Sequence, residues 1–174
     1  KIWKALGIAV CMLALAAPRA MAELREYLVS NNEHFADAVG RINNESNIGD
    51  ENEIVLMHDI TLEGNYILTN GKTTTIKGEG HTIFVEPNAG ITVTGKGNVL
   101  NLGAKDYKGT LTIDGKTSGG SASGNAKNAF VSGLERATAN MYENVTLQNG
   151  EFADKACVVI KGSDSAFNMY GGVI

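Results

Sequence analysis

The sequence predicts an all-β chain coiled as a parallel solenoid, and three observations predict it. Short runs rich in β-branched residues follow one another from Ile54 onward, divided by Gly, Asn and Asp. The gaps between them are too short for crossover helices, which excludes an alternating strand-helix architecture. Segments also match one another at a fixed offset. Ala139-Asn140-Met141-Tyr142-Glu143-Asn144-Val145 aligns with Phe167-Asn168-Met169-Tyr170-Gly171-Gly172-Val173, which lies 167 − 139 = 28 residues later.

Residues 1–22 read as a cleavable export signal. Lys1 and Lys4 precede an apolar run from Ala5 to Ala17, Pro18 breaks it, and Ala20-Met21-Ala22 is a small-x-small cleavage site. The run is too short to span a bilayer. Cleavage after Ala22, with Ala20 and Ala22 as the small residues of the site, leaves a mature chain starting at Glu23, of 174 − 22 = 152 residues, enough for one domain. Lys1, Lys4 and Arg19 leave with the signal. The remaining 15 − 3 = 12 basic against 19 acidic residues give a net charge of −7. That surplus argues against nucleic acid and anionic membrane as partners, since both need a basic patch. Cys157 is the only mature cysteine, so no internal disulfide forms. It is read as a small buried strand residue or as a thiol that pairs between chains.

Residues 23–53 form an N-terminal cap segment. Phe35, Val39 and Ile42 share one face of a short helix over 34–43, capped by Asn31 or Asn32. Asn43 to Glu53 reads as loop. The solenoid occupies residues 54–174. Its expected strands are 54–57, 60–62, 66–68, 73–76, 82–85, 91–94, 99–102 and 110–113. Stepping back in units of 28 from Ala139 and Met141 lands on Leu111 and Ile113, then Ile83 and Val85, then Val55 and Met57. These are expected to form inward columns, because a single turn cannot bury its own apolar face. Asn140 and Asn168 are candidates for an amide ladder, or are plain turn residues. Thr117 to Asn128 is small and polar and reads as a loop projecting from one corner. Residue 174 is expected to fall inside a turn, so that the solenoid is truncated there and further turns of a longer chain complete it.

The runs ITLEGNYILTNGKTTTIKGEGHTIFVE (60–86), GTLTIDGKT (109–117) and ANMYENVTL (139–147) resemble the single-stranded right-handed parallel β-helix of the pectate-lyase-like superfamily. The MYENV and MYGGV runs are similar to those of bacterial surface repeat proteins and autotransporter passenger domains, and HFADAVGRIN is similar to their N-terminal cap helix. The resemblance covers roughly residues 31–174. It implies a β-helix of about 28-residue turns, and it specifies architecture better than function, because lyases, hydrolases and adhesins share it.

Each chemistry that the resemblance admits has a requirement to meet. A lyase implies clustered carboxylates around Ca²⁺. Asp50, Glu51 and Glu53 are the one acidic cluster, in a polar loop, and are read as solvated. A hydrolase implies paired carboxylates. The chain has no adjacent Asp pair, and Asp114-Gly115-Lys116 reads as a turn. His34, His58 and His81 lack metal-ligand spacing, no G-x-S-x-G elbow occurs, and no phosphate loop ends in Gly-Lys-Ser/Thr. No catalytic residue, metal ligand or cofactor is therefore expected. Tyr107, Tyr142 and Tyr170 are candidate sugar-stacking platforms, or they pack beneath loops. Tyr142 and Tyr170 fall at equivalent places one turn apart and are the possible glycan contacts. The expected protein is secreted or held at a cell surface. It is expected to be structural or adhesive, the start of an autotransporter-like adhesin passenger. Its expected partners are extracellular glycans or host and cell-surface components. The alternative is the N-terminal part of a carbohydrate-active β-helix enzyme, with its active site beyond residue 174.

Overall fold

The computed structural model describes residues 24–44, 51–69, 71–115, 130–150 and 157–174. The signal segment with Ala20 and Ala22, the residue Asp50 and the 117–128 loop lie outside the described residues.

The chain opens with strand β1 (Leu24–Val29) and helix α1 (Asn32–Asn44). The helix begins two residues before the expected start. Asn31 is its cap: the His34 N–H donates to Asn31 Oδ1 at 2.8 Å, satisfying one of the donors a helix start leaves open. Phe35, Ala38, Val39 and Ile42 are buried, so the 3.6-residue periodicity read from the sequence is the face that packs.

Thirteen further strands follow among the described residues: β2 (Glu51–Leu56), β3 (Ile60–Leu62), β4 (Asn65–Leu68), β5 (Thr73–Lys77), β6 (Thr82–Val85), β7 (Gly90–Thr94), β8 (Val99–Leu102), β9 (Leu111–Asp114), β10 (Val131–Leu134), β11 (Thr138–Met141), β12 (Val145–Gln148), β13 (Val158–Lys161) and β14 (Ala166–Met169). They form three sheets, ordered β1-β2-β5-β8-β11-β14, β3-β6-β9-β12 and β4-β7-β10-β13. From β2 onward each strand pairs in parallel with the third strand after it. A parallel pair needs a crossover, and here the two intervening strands supply it. The molecule is thus mostly β, with three parallel sheets and one short helix, an arrangement compatible with a β-helix-like solenoid.

The register explains the core. Ile54, Ile76, Leu102 and Met141 are successive partners in the first sheet, and all are buried. Ile60, Ile83, Ile113 and Leu147 are successive partners in the second. Ile91 and Val131 continue the pattern in the third, with Tyr66 before them and Val158 after. Each fully buried Ile or Leu contributes about 1.5–3 kcal/mol. At Gly133 the side chain is missing for a reason: a Cβ there would lie 2.6 Å from Ile160 Cδ1, so Ile160 fills the space.

Three expectations need correction. Residues 43 and 44 belong to α1 and residues 51–53 to β2, not to a loop, because pairing with β1 and β5 draws Glu51 to Glu53 into the sheet. Ile113 points inward, at 1 % exposure, but it does not share a column with Val85 and Met141. Its partners are Ile83 and Leu147, and Met141 belongs to the first sheet. Val55 is buried, at 7 % exposure, but its register partners are Leu28 and Lys77 rather than Ile83 or Leu111, and Met57 is 44 % exposed. The reason is that the repeat is not constant. Met141 to Met169 spans 28 residues, but Ile76 to Leu102 spans 102 − 76 = 26 and Ile54 to Ile76 spans 76 − 54 = 22. Leu102 to Met141 spans 141 − 102 = 39. Corner loops absorb the difference without disturbing strand pairing, so a fixed step drifts from one sheet into another.

β1 was not legible in the sequence. Its exposed residues include Leu24 and Leu28, while Arg25 and Tyr27 point toward the interior, so no apolar alternation marks it. Residue-by-residue pairing with β2 defines it instead.

Side-chain amides finish the sheets. Asn140 Nδ2 donates to Asn101 Oδ1 at 2.8 Å, and Asn168 Nδ2 to Asn140 Oδ1 at 2.9 Å. Asn101 Nδ2 extends the ladder to Thr75 Oγ1 at 3.2 Å. At the helix end, Asn43 Nδ2 donates to the Ile67 carbonyl at 2.7 Å, and Asn43 Oδ1 accepts from the Thr69 N–H at 2.8 Å. The Gly64 carbonyl accepts from Gly90 N–H, so by alternation the backbone groups of residues 67 and 69 face away from β7. The asparagine side chain takes the place of a neighbouring strand at this edge. Asn32 Oδ1 does similar service for the Glu63 N–H (3.2 Å) and the Tyr66 hydroxyl, while Phe35 meets the Tyr66 ring edge-on at 5.1 Å.

Candidate functional site

Among the described residues, several side chains with binding chemistry gather at one corner. The chain passes from the first sheet to the second through residues 57–59, 78–81, 103–110 and 142–144, and residues 170–172 follow β14 at the same place. Parallel stacking therefore superposes segments far apart in sequence: His58 and Asp59, then Glu79 and His81, then Lys105 to Lys108, then Tyr142 and Glu143, then Tyr170.

Tyr142 and Tyr170 extend the register of β11 and β14. Their N–H groups donate to the carbonyls of Leu102 (3.1 Å) and Met141 (2.8 Å). Backbone pairing thus sets one ring over the other. The centroids are 5.2 Å apart and the planes 24° from parallel, a stacked pair. Tyr170 is 62 % exposed and Tyr142 half-buried. The position below Tyr142 is Gly103, at φ +67°, where a Cβ would lie 3.0 Å from Val145 Cγ2 and 3.7 Å from Tyr142 Cβ. Beside the two rings lies a cleft of about 380 Å³, lined also by Ala104, Lys105, Asp106 and Glu143. An aromatic wall with a rim of both charge signs suits a ligand that has apolar faces and many hydroxyls.

Tyr107 sits at the same corner but is held inward. Its hydroxyl accepts from the Glu79 N–H at 3.1 Å, its carbonyl accepts from Asn144 Nδ2 at 3.2 Å, and Lys77 Nζ lies 5.5 Å from its ring centroid. Lys77 in turn pairs with Glu53 Oε2 at 2.7 Å. Burial, reinforced by the Glu79 side chain, pushes the Tyr107 hydroxyl up to about 12. Of the three candidate tyrosines, the fold brings Tyr142 and Tyr170 together at the surface and makes Tyr107 a brace beneath them.

The remaining candidates are accounted for individually. Glu53 is tied to Lys77 and Glu51 is exposed at the strand start, and among the described residues no group of three or more His, Cys, Asp or Glu is placed to hold a metal ion. Asp114 is not in a turn. It closes β9, is 7 % exposed, and its carboxylate accepts from Gln148 Nε2 (2.8 Å) and Asn149 Nδ2 (3.0 Å) of the next layer. Those amides satisfy the carboxylate oxygens at this buried position. Cys157 is a free, half-buried thiol just before β13, and burial raises its pKa. His34 lies exposed on the first turn of α1.

Sequence reasoning missed Lys105, Asp106 and Glu143 as neighbours of the tyrosines. The offset that related Tyr142 to Tyr170 was the only available signal, because the 103–110 loop matches no other turn. The chain matches no protein-family model, no curated protein and no solved structure.

Proposed function

We propose that this chain is an exported surface segment, a right-handed parallel β-helix that serves as a structural or adhesive element at the start of an autotransporter-like passenger. In this reading its partner is an extracellular glycan, and the contact is the Tyr142–Tyr170 pair. The observation that carries the reading is the stacked pair itself, with one ring largely exposed beside a cleft rimmed by Lys105, Asp106 and Glu143. Apolar sugar faces pack on aromatic rings, and the rim supplies donors and acceptors for hydroxyls. Three parallel sheets with aligned core columns give the pair a rigid support, so little ordering cost accompanies binding. Export is supported by the order of charge, apolar run, breaker and small-x-small site in residues 1–22.

A glycan-binding screen of the purified chain tests the contact. The expected result is capture of at least one glycan class, recovered chemically intact, with affinity reduced about tenfold or more by Tyr170→Ala and by Tyr142→Ala. Failure to capture any glycan, or capture unchanged by both substitutions, would overturn it. N-terminal sequencing of exported material tests the secretory part, with Glu23 expected as the first residue.

A further inference from the structure

We propose that His58 and His81 form a two-imidazole site for a divalent transition-metal ion, Cu²⁺ or Zn²⁺, with Asp59 orienting His81. The two histidines are 81 − 58 = 23 residues apart in sequence, but the stacking of the turns after β2 and β5 brings them to adjacent layers of one corner. Their ring centroids are 6.1 Å apart, with the planes inclined at 52°. Metal–nitrogen bonds of about 2.0–2.1 Å place two imidazoles on one ion with centroids on the order of 5–6 Å apart, so small side-chain rotations suffice.

The carboxylate completes the arrangement. Asp59 Oδ1 accepts from the Thr82 N–H at 2.8 Å, which fixes it in place, and lies 3.4 Å from His81 Nδ1. A carboxylate at one ring nitrogen holds the proton there and directs the other nitrogen, Nε2, outward as a lone-pair donor. Asp59 is thus a positioning residue and not a third ligand, in keeping with the absence of any three-donor group among the described residues. His58 and Asp59 are exposed and His81 half-exposed, so an ion reaches the site from solvent and keeps water in its remaining positions. Imidazole nitrogens select Cu²⁺ and Zn²⁺ over Ca²⁺ and Mg²⁺, and Cu²⁺ is expected to bind more tightly than Zn²⁺. The site is separate from the tyrosine cleft and does not depend on its function.

Calorimetric titration of the chain with Cu²⁺ and with Zn²⁺ tests this. One ion per chain is expected, and His58→Ala, His58→Gln and His81→Ala should each weaken binding by roughly tenfold or more, with Asp59→Asn losing about tenfold through misorientation of His81. His34→Ala should bind like the parent. Circular dichroism in chelator verifies that each variant is folded. In the unsubstituted chain, paramagnetic Cu²⁺ should broaden the imidazole resonances of His58 and His81 together. Broadening confined to His34, or His58 and His81 variants that bind as tightly as the parent, would overturn the proposal.

Discussion

Asn168 donates to the side-chain carbonyl of Asn140 at 2.9 Å, and Asn140 in turn donates to Asn101 at 2.8 Å. The three sit at one register position of the first sheet, so the hydrogen bonds run along the stack beside the backbone ladder. Removing the central rung leaves a donor of Asn168 and an acceptor of Asn101 unmatched. Asn140→Ala is expected to destabilise the chain by about 1–3 kcal/mol, more than Asn168→Ala, which breaks one bond rather than two. Urea denaturation midpoints measure both.

The core register is tested by a neighbouring pair on one strand. Ile113 faces Ile83 and Leu147 in the interior, and Thr112 faces outward. Ile113→Asp buries an unpaired carboxylate and should cost several kcal/mol, whereas Thr112→Asp should cost well under half as much. Equal shifts in the denaturation midpoints would contradict this register.

The helix is joined to the sheet edge through Asn43. Asn43→Ala withdraws partners from the Ile67 carbonyl and the Thr69 N–H together, a loss of about 1–3 kcal/mol. Amide hydrogen exchange at Thr69 should accelerate markedly, while exchange in β8 and β11 should change only by the global loss.

Alkaline pH should act through Tyr107. Its folded pKa of about 12 lies above the unfolded value of 10.0, so the native state binds the proton more tightly. This contribution is fully present below pH 10 and is lost as pH rises through 12. Tyr107→Phe should flatten the fall in stability across that window. A shallower slope should persist, because burial also raises Tyr66. Unfolding midpoints measured at intervals from pH 9 upward check the prediction.

The sequence by itself determined that the chain is mostly β, that its strands are parallel, and that one short helix precedes them. Each is a local consequence of residue order: β-branched runs between Gly, Asn and Asp, gaps too short for helices, and Phe35, Val39 and Ile42 at helical spacing. It also determined that Tyr142 and Tyr170 are equivalent, because the segments 139–145 and 167–173 match at the 28-residue span that separates β11 from β14. The tertiary structure alone decided the column partners of Ile113 and of Val55, the outward position of Met57, and the strand β1. Register is set by backbone pairing between layers, and corner loops of unequal length hide it from any fixed sequence period. For the same reason only the fold could show that Lys105, Asp106 and Glu143 line the tyrosine cleft, and that His58 and His81 meet. These contacts arise between layers, where residues tens of positions apart are held in adjacent layers by hydrogen bonds their own side chains do not encode.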